Sequence, residues 1–215
     1  TGQTSISQAL TNTTNASATA TYTVTPQSGT CTGATFEVTV TVNPVPSISN
    51  KTAIICSGGT FTVTPVNGVI EIVPSGTTYT WTAPVISPAG SITGGSGQAT
   101  GQTSISQALI NTTNASATAT YTVTPQSGTC TGPTFTVTVT VNPVPSISNK
   151  TATICSGGTF TVTPANGGSE IVPSGTTYTW SAPVISPAGS ITGGSGQATG
   201  QTSISQALTN TTNAS

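Results

Sequence analysis

Thr134-Phe135-Thr136-Val137-Thr138-Val139-Thr140-Val141 alternates strictly between hydroxyl and apolar side chains. Successive side chains of an extended strand point to opposite faces, so Phe135 and the three valines line one face and the threonines the other. One face is dry and one is wet. Working outward, the same alternation runs through Ala117 to Thr124, Thr60-Phe61-Thr62-Val63-Thr64 and Thr77-Thr78-Tyr79-Thr80-Trp81. Between these stretches sit turn formers: Ser57-Gly58-Gly59, Asn67-Gly68, Pro74-Ser75-Gly76, Pro88-Ala89-Gly90, Gly94-Gly95 and Gln126-Ser127-Gly128. Short strands punctuated in this way predict an all-β sandwich. Ser104 to Leu109 is the one stretch with helical potential, and the spacing of Ile105 predicts a strand there too. The expected core is Phe61, Val63, Tyr79, Trp81, Ile105, Leu109, Tyr121, Val123, Phe135, Val137 and Val139.

Residues 1–116 recur, shifted by 99 positions, as residues 100–215, and nine aligned positions differ. That period exceeds a solenoid or propeller-blade repeat and fits a small domain copied in tandem. Asn43-Pro44-Val45-Pro46 and its copy Asn142-Pro143-Val144-Pro145 follow the most regular strand, where two prolines end the ladder and stiffen a junction. The boundaries so predicted are a complete module over residues 44–142, the last strands of a preceding module over 1–43, and the opening strands of a following one over 143–215. With no initiator Met and both ends inside a repeat, the chain reads as a window on a longer polypeptide. Tandem copies give reach to a stalk or avidity to a binder, and enzymes seldom need them.

Composition narrows the chemistry. The only charged residues are Lys51, Lys150, Glu37, Glu71 and Glu170, for a net charge of -1. Such a surface offers no basic patch for nucleic acid. No apolar run approaches the roughly 18 residues of a membrane helix, and no signal peptide is visible. Without His or Asp, a Ser-His-Asp or Cys-His arrangement cannot be built, and paired carboxylates for glycoside chemistry are missing. The expectation is no catalytic site, no cofactor and no metal: calcium would find too few acidic oxygens, and Gly94-Gly95-Ser96-Gly97 lacks the Lys of a phosphate loop. Sequons such as Asn12-Thr13-Thr14 and Asn111-Thr112-Thr113 arise easily in a chain this rich in Thr and Ser. Tyr79 and Trp81 share a strand face and are expected in the core, not on a sugar-stacking platform.

Two pairs of residue types recur at constant spacing. Lys51 with Glu71 and Lys150 with Glu170 read as surface ion pairs, the sharper alternative being a Lys–Asn isopeptide bond promoted by the carboxyl group. Each module also holds two cysteines, the disulfide candidates being Cys31, Cys56, Cys130 and Cys155. Without His and without paired C-x₂₋₄-C spacing, a disulfide is the natural reading, and zinc is not. A Cys56–Cys130 bridge would close a loop of about 75 residues, worth about 4 kcal/mol in the chain-entropy model. Oxidised cysteines would place the chain outside the cytoplasm.

The run Ile55-Cys56-Ser57-Gly58-Gly59-Thr60-Phe61-Thr62-Val63, the Tyr79-Thr80-Trp81 strand, Ala119 to Val123, Gly128-Thr129-Cys130 and the Phe135 to Val141 strand closing on Asn142-Pro143 carry a resemblance. Together they resemble the PKD-like and immunoglobulin-like repeats of giant secreted surface proteins in Bacteroidetes. The chain has no Asp, so the acidic loop motif of PKD domains is absent. The resemblance implies tandem immunoglobulin-like antiparallel β-sandwich modules of roughly seven strands, on extracellular adhesins or fibres. In that topology Cys56 lies at the opposite end of the module from Cys130. Three states of the cysteines therefore stay open: a bridge within a module, a bridge between neighbours, or free thiols. Two accounts of function follow. One is a structural filament, stalk or adhesin shaft, secreted to the cell surface, whose partners are neighbouring modules of the same or identical chains. The other is a multivalent carbohydrate- or protein-binding array. Neither involves nucleic acid or membrane insertion of this segment.

Overall fold

The computed structural model describes residues 2–212, and every regular element among them is a β-strand. The chain divides into two compact units, one joining residues up to Ile110 with Ala117–Val141, the other joining Asn111–Ser116 with Asn142 onward.

Within the first unit, a β-sandwich is built from two layers. One sheet runs Gln98–Gln102, Thr78–Trp81, Ala117–Ser127, Phe135–Asn142 and Lys51–Cys56, with Val85–Ser87 and Cys130–Thr131 also paired to Ala117–Ser127. Facing it, Thr60–Val63 pairs with Ile105–Ala108, and Ile92–Thr93 pairs with Ile110–Asn111. The Ile105 stretch is thus a strand, as its spacing predicts. The alternation along Phe135–Asn142 translates directly into burial, each apolar residue buried and each polar one half-buried. Its partner strand does the same in register, Ala117 opposite Val141, Tyr121 opposite Val137 and Val123 opposite Phe135. Each buried Val or Phe among them contributes about 1.5 to 3 kcal/mol when it leaves water.

The layers meet through aromatics. The rings of Phe61 and Tyr121 lie 5.3 Å apart, and those of Tyr79 and Phe135 meet edge to face at 6.2 Å. Ten of the expected core residues are buried, while Val63 is partly buried and packs against the cluster. Ile48, Ile92, Ala117, Ala119 and Val141 complete the cluster. Trp81 is buried with its indole N–H donating to Ser96 O at 3.1 Å.

Residues 2–43 of the same unit form a hairpin of Ala18–Val24 and Phe36–Val42 with the same register, Tyr22 opposite Val38 and Val24 opposite Phe36. Among the described residues these two strands form a two-stranded sheet of their own. Phe36 is 49% exposed where Phe135 is 2% exposed, and Val40 36% where Val139 is fully buried.

The second unit repeats the other half of the sandwich. Thr159–Val162 pairs with Ile204–Ala207, Tyr178–Trp180 with Gln197–Gln201, and Ile191–Thr192 with Thr209–Asn210. Phe160, Tyr178 and Trp180 are half-buried, unlike their equivalents Phe61, Tyr79 and Trp81.

Candidate functional site

The isolated charges are brought together by local backbone. Ser47 and Ile72 exchange two backbone hydrogen bonds of 2.9 Å, which sets Glu71 beside the segment entering Lys51–Cys56. Gly68 N donates to Glu71 O at 3.1 Å and closes the loop behind it. Glu71 Oε1 then accepts from Ser49 N at 3.3 Å, from Ser49 Oγ and from Lys51 Nζ. Glu71 is nearly buried, and the Lys51 amine beside it, followed by the Ser49 hydroxyl, holds its carboxyl below the usual carboxylate range. In the second unit Glu170 repeats the arrangement with Ser148 and Lys150, and is drawn down to about 2. Both pairs are therefore ion pairs. Lys51 Nζ also reaches Ser49 Oγ at 3.4 Å, and among the described residues its hydrogen-bond partners are Ser49 and Glu71. The neighbouring amides are engaged with backbone instead, Asn50 Oδ1 accepting from Thr136 N at 2.8 Å and Asn67 Oδ1 from Val73 N at 3.1 Å. Each lysine is thus neutralised by the glutamate twenty positions further along the chain. The arrangement can tie a loop to a strand, and it presents no free acid or base.

The module's lower end is built on the hairpin after Ala117–Ser127. Ser127 pairs with Cys130 across Gly128 and Thr129, and Gly128 takes a left-handed φ of 56° that a β-branched residue would resist. Gly132 N donates to Pro125 O at 2.9 Å, and a Cβ at Gly132 would collide with the carbonyl oxygen of Pro46. Pro44 and Pro46 are accordingly buried. Their copies Pro143 and Pro145 are half-buried and exposed. The proline segment expected to stiffen a junction thus packs, at Pro46, against this hairpin.

All four cysteines are free thiols. The bridge Cys56–Cys130 is not formed, and the topology gives the reason. Asn50, bonded to Thr136, puts the start of Lys51–Cys56 at the hairpin end of the sheet. The strand's far end leads into Gly58, whose N–H donates to Leu109 O at 2.8 Å, near where Ala117 pairs with Val141. Cys130 pairs with Ser127, the last residue of the eleven-residue strand that begins at Ala117. At roughly 3.3 Å per residue the two thiols sit about 30 Å apart, far beyond the ~7 Å limit between bridged Cα atoms. Cys31 pairs with Ser28 in the corresponding hairpin, and Cys155 precedes the turn corresponding to that at Cys56.

Among the described residues no group of three or more His, Cys, Asp or Glu side chains is gathered as a metal site. The loop carrying Val66, Val69 and Ile70 exposes all three side chains, which sequence periodicity alone did not single out. Its copy carries Ala165, Gly168 and Ser169.

The sequence matches the family described as PKD-like domain over residues 1–46 and 53–145. No curated protein matches it.

Proposed function

This chain belongs to the PKD-like domain family, and from that premise we propose that it is a structural repeat of a secreted bacterial surface filament, stalk or adhesin shaft. Domains of this family are commonly extracellular structural or binding modules and are typically non-catalytic. Among the described residues no helix is long and apolar enough to cross a membrane.

The carrying observation is the repetition itself: strand pairs of the sandwich recur before and after it in the same register. Residues 2–43 repeat the pairing of Ala117–Ser127 with Phe135–Asn142, and residues after 143 repeat that of Thr60–Val63 with Ile105–Ala108 in the facing layer and that of Thr78–Trp81 with Gln98–Gln102 in the first sheet. The complete sandwich shows how such strand pairs fit: Trp81 pairs beside Val123, and the Tyr121 hydroxyl donates to Gln107 Oε1 across the layers. Neighbouring modules, in one long chain or in identical chains, complete one another and propagate a shaft. The setting is a giant surface protein of the type found in Bacteroidetes. The almost uncharged surface suits packing that ignores salt.

The competing account, a multivalent carbohydrate- or protein-binding module acting by avidity, needs a surface kept in every copy. The most exposed apolar loop is where the copies diverge, from Val69-Ile70 to Gly168-Ser169, which favours the shaft. Chains of one, two and three periods, imaged by negative-stain microscopy and probed on a glycan array, test the reading. The expected outcome is a length increment of roughly 30 Å or more per period and no glycan hits. Constant length, or glycan binding that strengthens with copy number, would overturn it.

A further inference from the structure

We propose that Cys130 forms a disulfide with the cysteine that corresponds to Cys56 in the preceding module, so that every junction of the array carries one covalent staple. The inference rests on the shaft reading for its oxidising compartment and on junction geometry for its partners.

The geometry runs through four contacts. In the second unit Cys155, the copy of Cys56, is followed by Ser156, whose hydroxyl donates to Asn210 O at 3.2 Å and accepts from Asn210 N at 2.9 Å. Asn210 corresponds to Asn12, so the preceding module's copy of Cys56 lies next to a serine bonded to Asn12. Asn12 Nδ2 in turn donates to Ala16 O at 2.7 Å and Val42 O at 2.8 Å, which ties this corner to the loop and strand end that face the junction. Across it, Ala16, Ser17, Asn43 and Pro44 share a cavity with Ser127 and Gly128 of the complete module's hairpin. Cys130 stands opposite Ser127 in that hairpin. One cysteine thus approaches each junction from below and one from above. The pairing also accounts for why each module carries two cysteines at opposite ends, where they cannot reach each other.

Bond formation is a thiol–disulfide exchange with a small-molecule disulfide as oxidant. One cysteine thiolate attacks the oxidant and releases its first thiol, then the second cysteine thiolate displaces the remaining one. The protein disulfide forms, the oxidant is reduced to two thiols, and both cysteine protons leave to solvent or the released thiolates.

The test uses the full chain preceded, in register, by one further period with the sequence of residues 1–99. One variant keeps only Cys130 and the upstream copy of Cys56; a second keeps only Cys130 and Cys56; all other cysteines become serine. Both are incubated with oxidised and reduced glutathione, alkylated without denaturant and weighed intact. The expected result is a monomer of the first variant lacking two hydrogens and taking no alkyl group, while the second takes two. Two alkylated thiols in the first variant, or closure of the second, overturns the proposal. The oxidant is supplied in vitro, so a failed bridge would leave the shaft reading standing, and a failed length increment would leave the bridge standing. Matching circular dichroism spectra confirm that both variants are folded.

Discussion

The hydroxyl of Tyr121 donates to Gln107 Oε1 at 2.8 Å, and Tyr22 makes the same bond to Gln8 at 2.8 Å. In the complete sandwich this links the Ala117–Ser127 strand to Ile105–Ala108 in the opposite layer, and Gln107 also accepts from Ser96 N at 3.0 Å. A single amide therefore joins both layers to a loop. Tyr121→Phe is expected to destabilise the chain by about 1 kcal/mol, read by urea denaturation, because a buried bond is lost while the ring is kept.

The same residue sets an alkaline limit. Burial pushes the Tyr121 phenol up to about 12 from its ordinary value of 10.0. A folded pKa above the unfolded one means stability that is complete below about 10 and is lost as pH climbs towards 12. Thermal unfolding of wild type between pH 9 and 12 should fall more steeply than that of Tyr121→Phe. Parallel curves would contradict this.

At the acid end the sign reverses. Glu71 is held below its ordinary value of 4.5 by Lys51 and Ser49, so its contribution is present above 4.5 and fades as pH drops through the lowered folded value. Glu71→Gln should cost on the order of 1 kcal/mol at pH 7. Below the folded pKa the two proteins should converge, since wild type then carries a neutral acid at the same place.

Gly132 supports the proline entry by having no side chain. Gly132→Ala places a methyl group against the Pro46 carbonyl and close to Pro125 Cγ at 3.1 Å. The backbone has to give way at both, which is expected to cost about 1 to 3 kcal/mol. Faster hydrogen exchange at Ser47 N, which bonds Ile72 O at 2.9 Å, would register the loosened entry.

Equivalent core residues should differ in weight according to whether their facing layer is present. Phe135→Ala is expected to cost about 3 to 5 kcal/mol and Phe36→Ala under about 1 kcal/mol, because only Phe135 is enclosed. Supplying the preceding strands by one further period should raise the cost at Phe36 towards that at Phe135. Equal costs in the 215-residue chain would show that the open hairpin is not open in solution.

Local pattern carried much of this architecture. Phe135, Val137, Val139 and Val141 are buried on one face because a period of two has one geometric solution in a pleated strand. Ile48 and Ile92 were not legible as core, since each sits in a short segment without alternation and is buried by what folds over it. Val63 fails the other way, alternating correctly but only partly buried against the cluster. The Lys51–Glu71 pair was visible as a recurring spacing; that Ser49 would also donate to Glu71 depends on the Ser47–Ile72 bridge.

From sequence alone follow the strands, their wet and dry faces, the tandem duplication and the lack of His and Asp, because these depend on neighbours a few residues apart or on the inventory of side chains. Which end of the sandwich each cysteine occupies, and which prolines are buried, was decided only in three dimensions. Cys56 and Cys130 lie in one compact unit, yet a strand running the length of the sheet holds them apart, and Pro46 is buried by a hairpin whose Gly132 lies 86 residues further along the chain. Strand direction and layer closure are long-range properties, and they turn two equivalent-looking thiols into the opposite ends of a repeating unit.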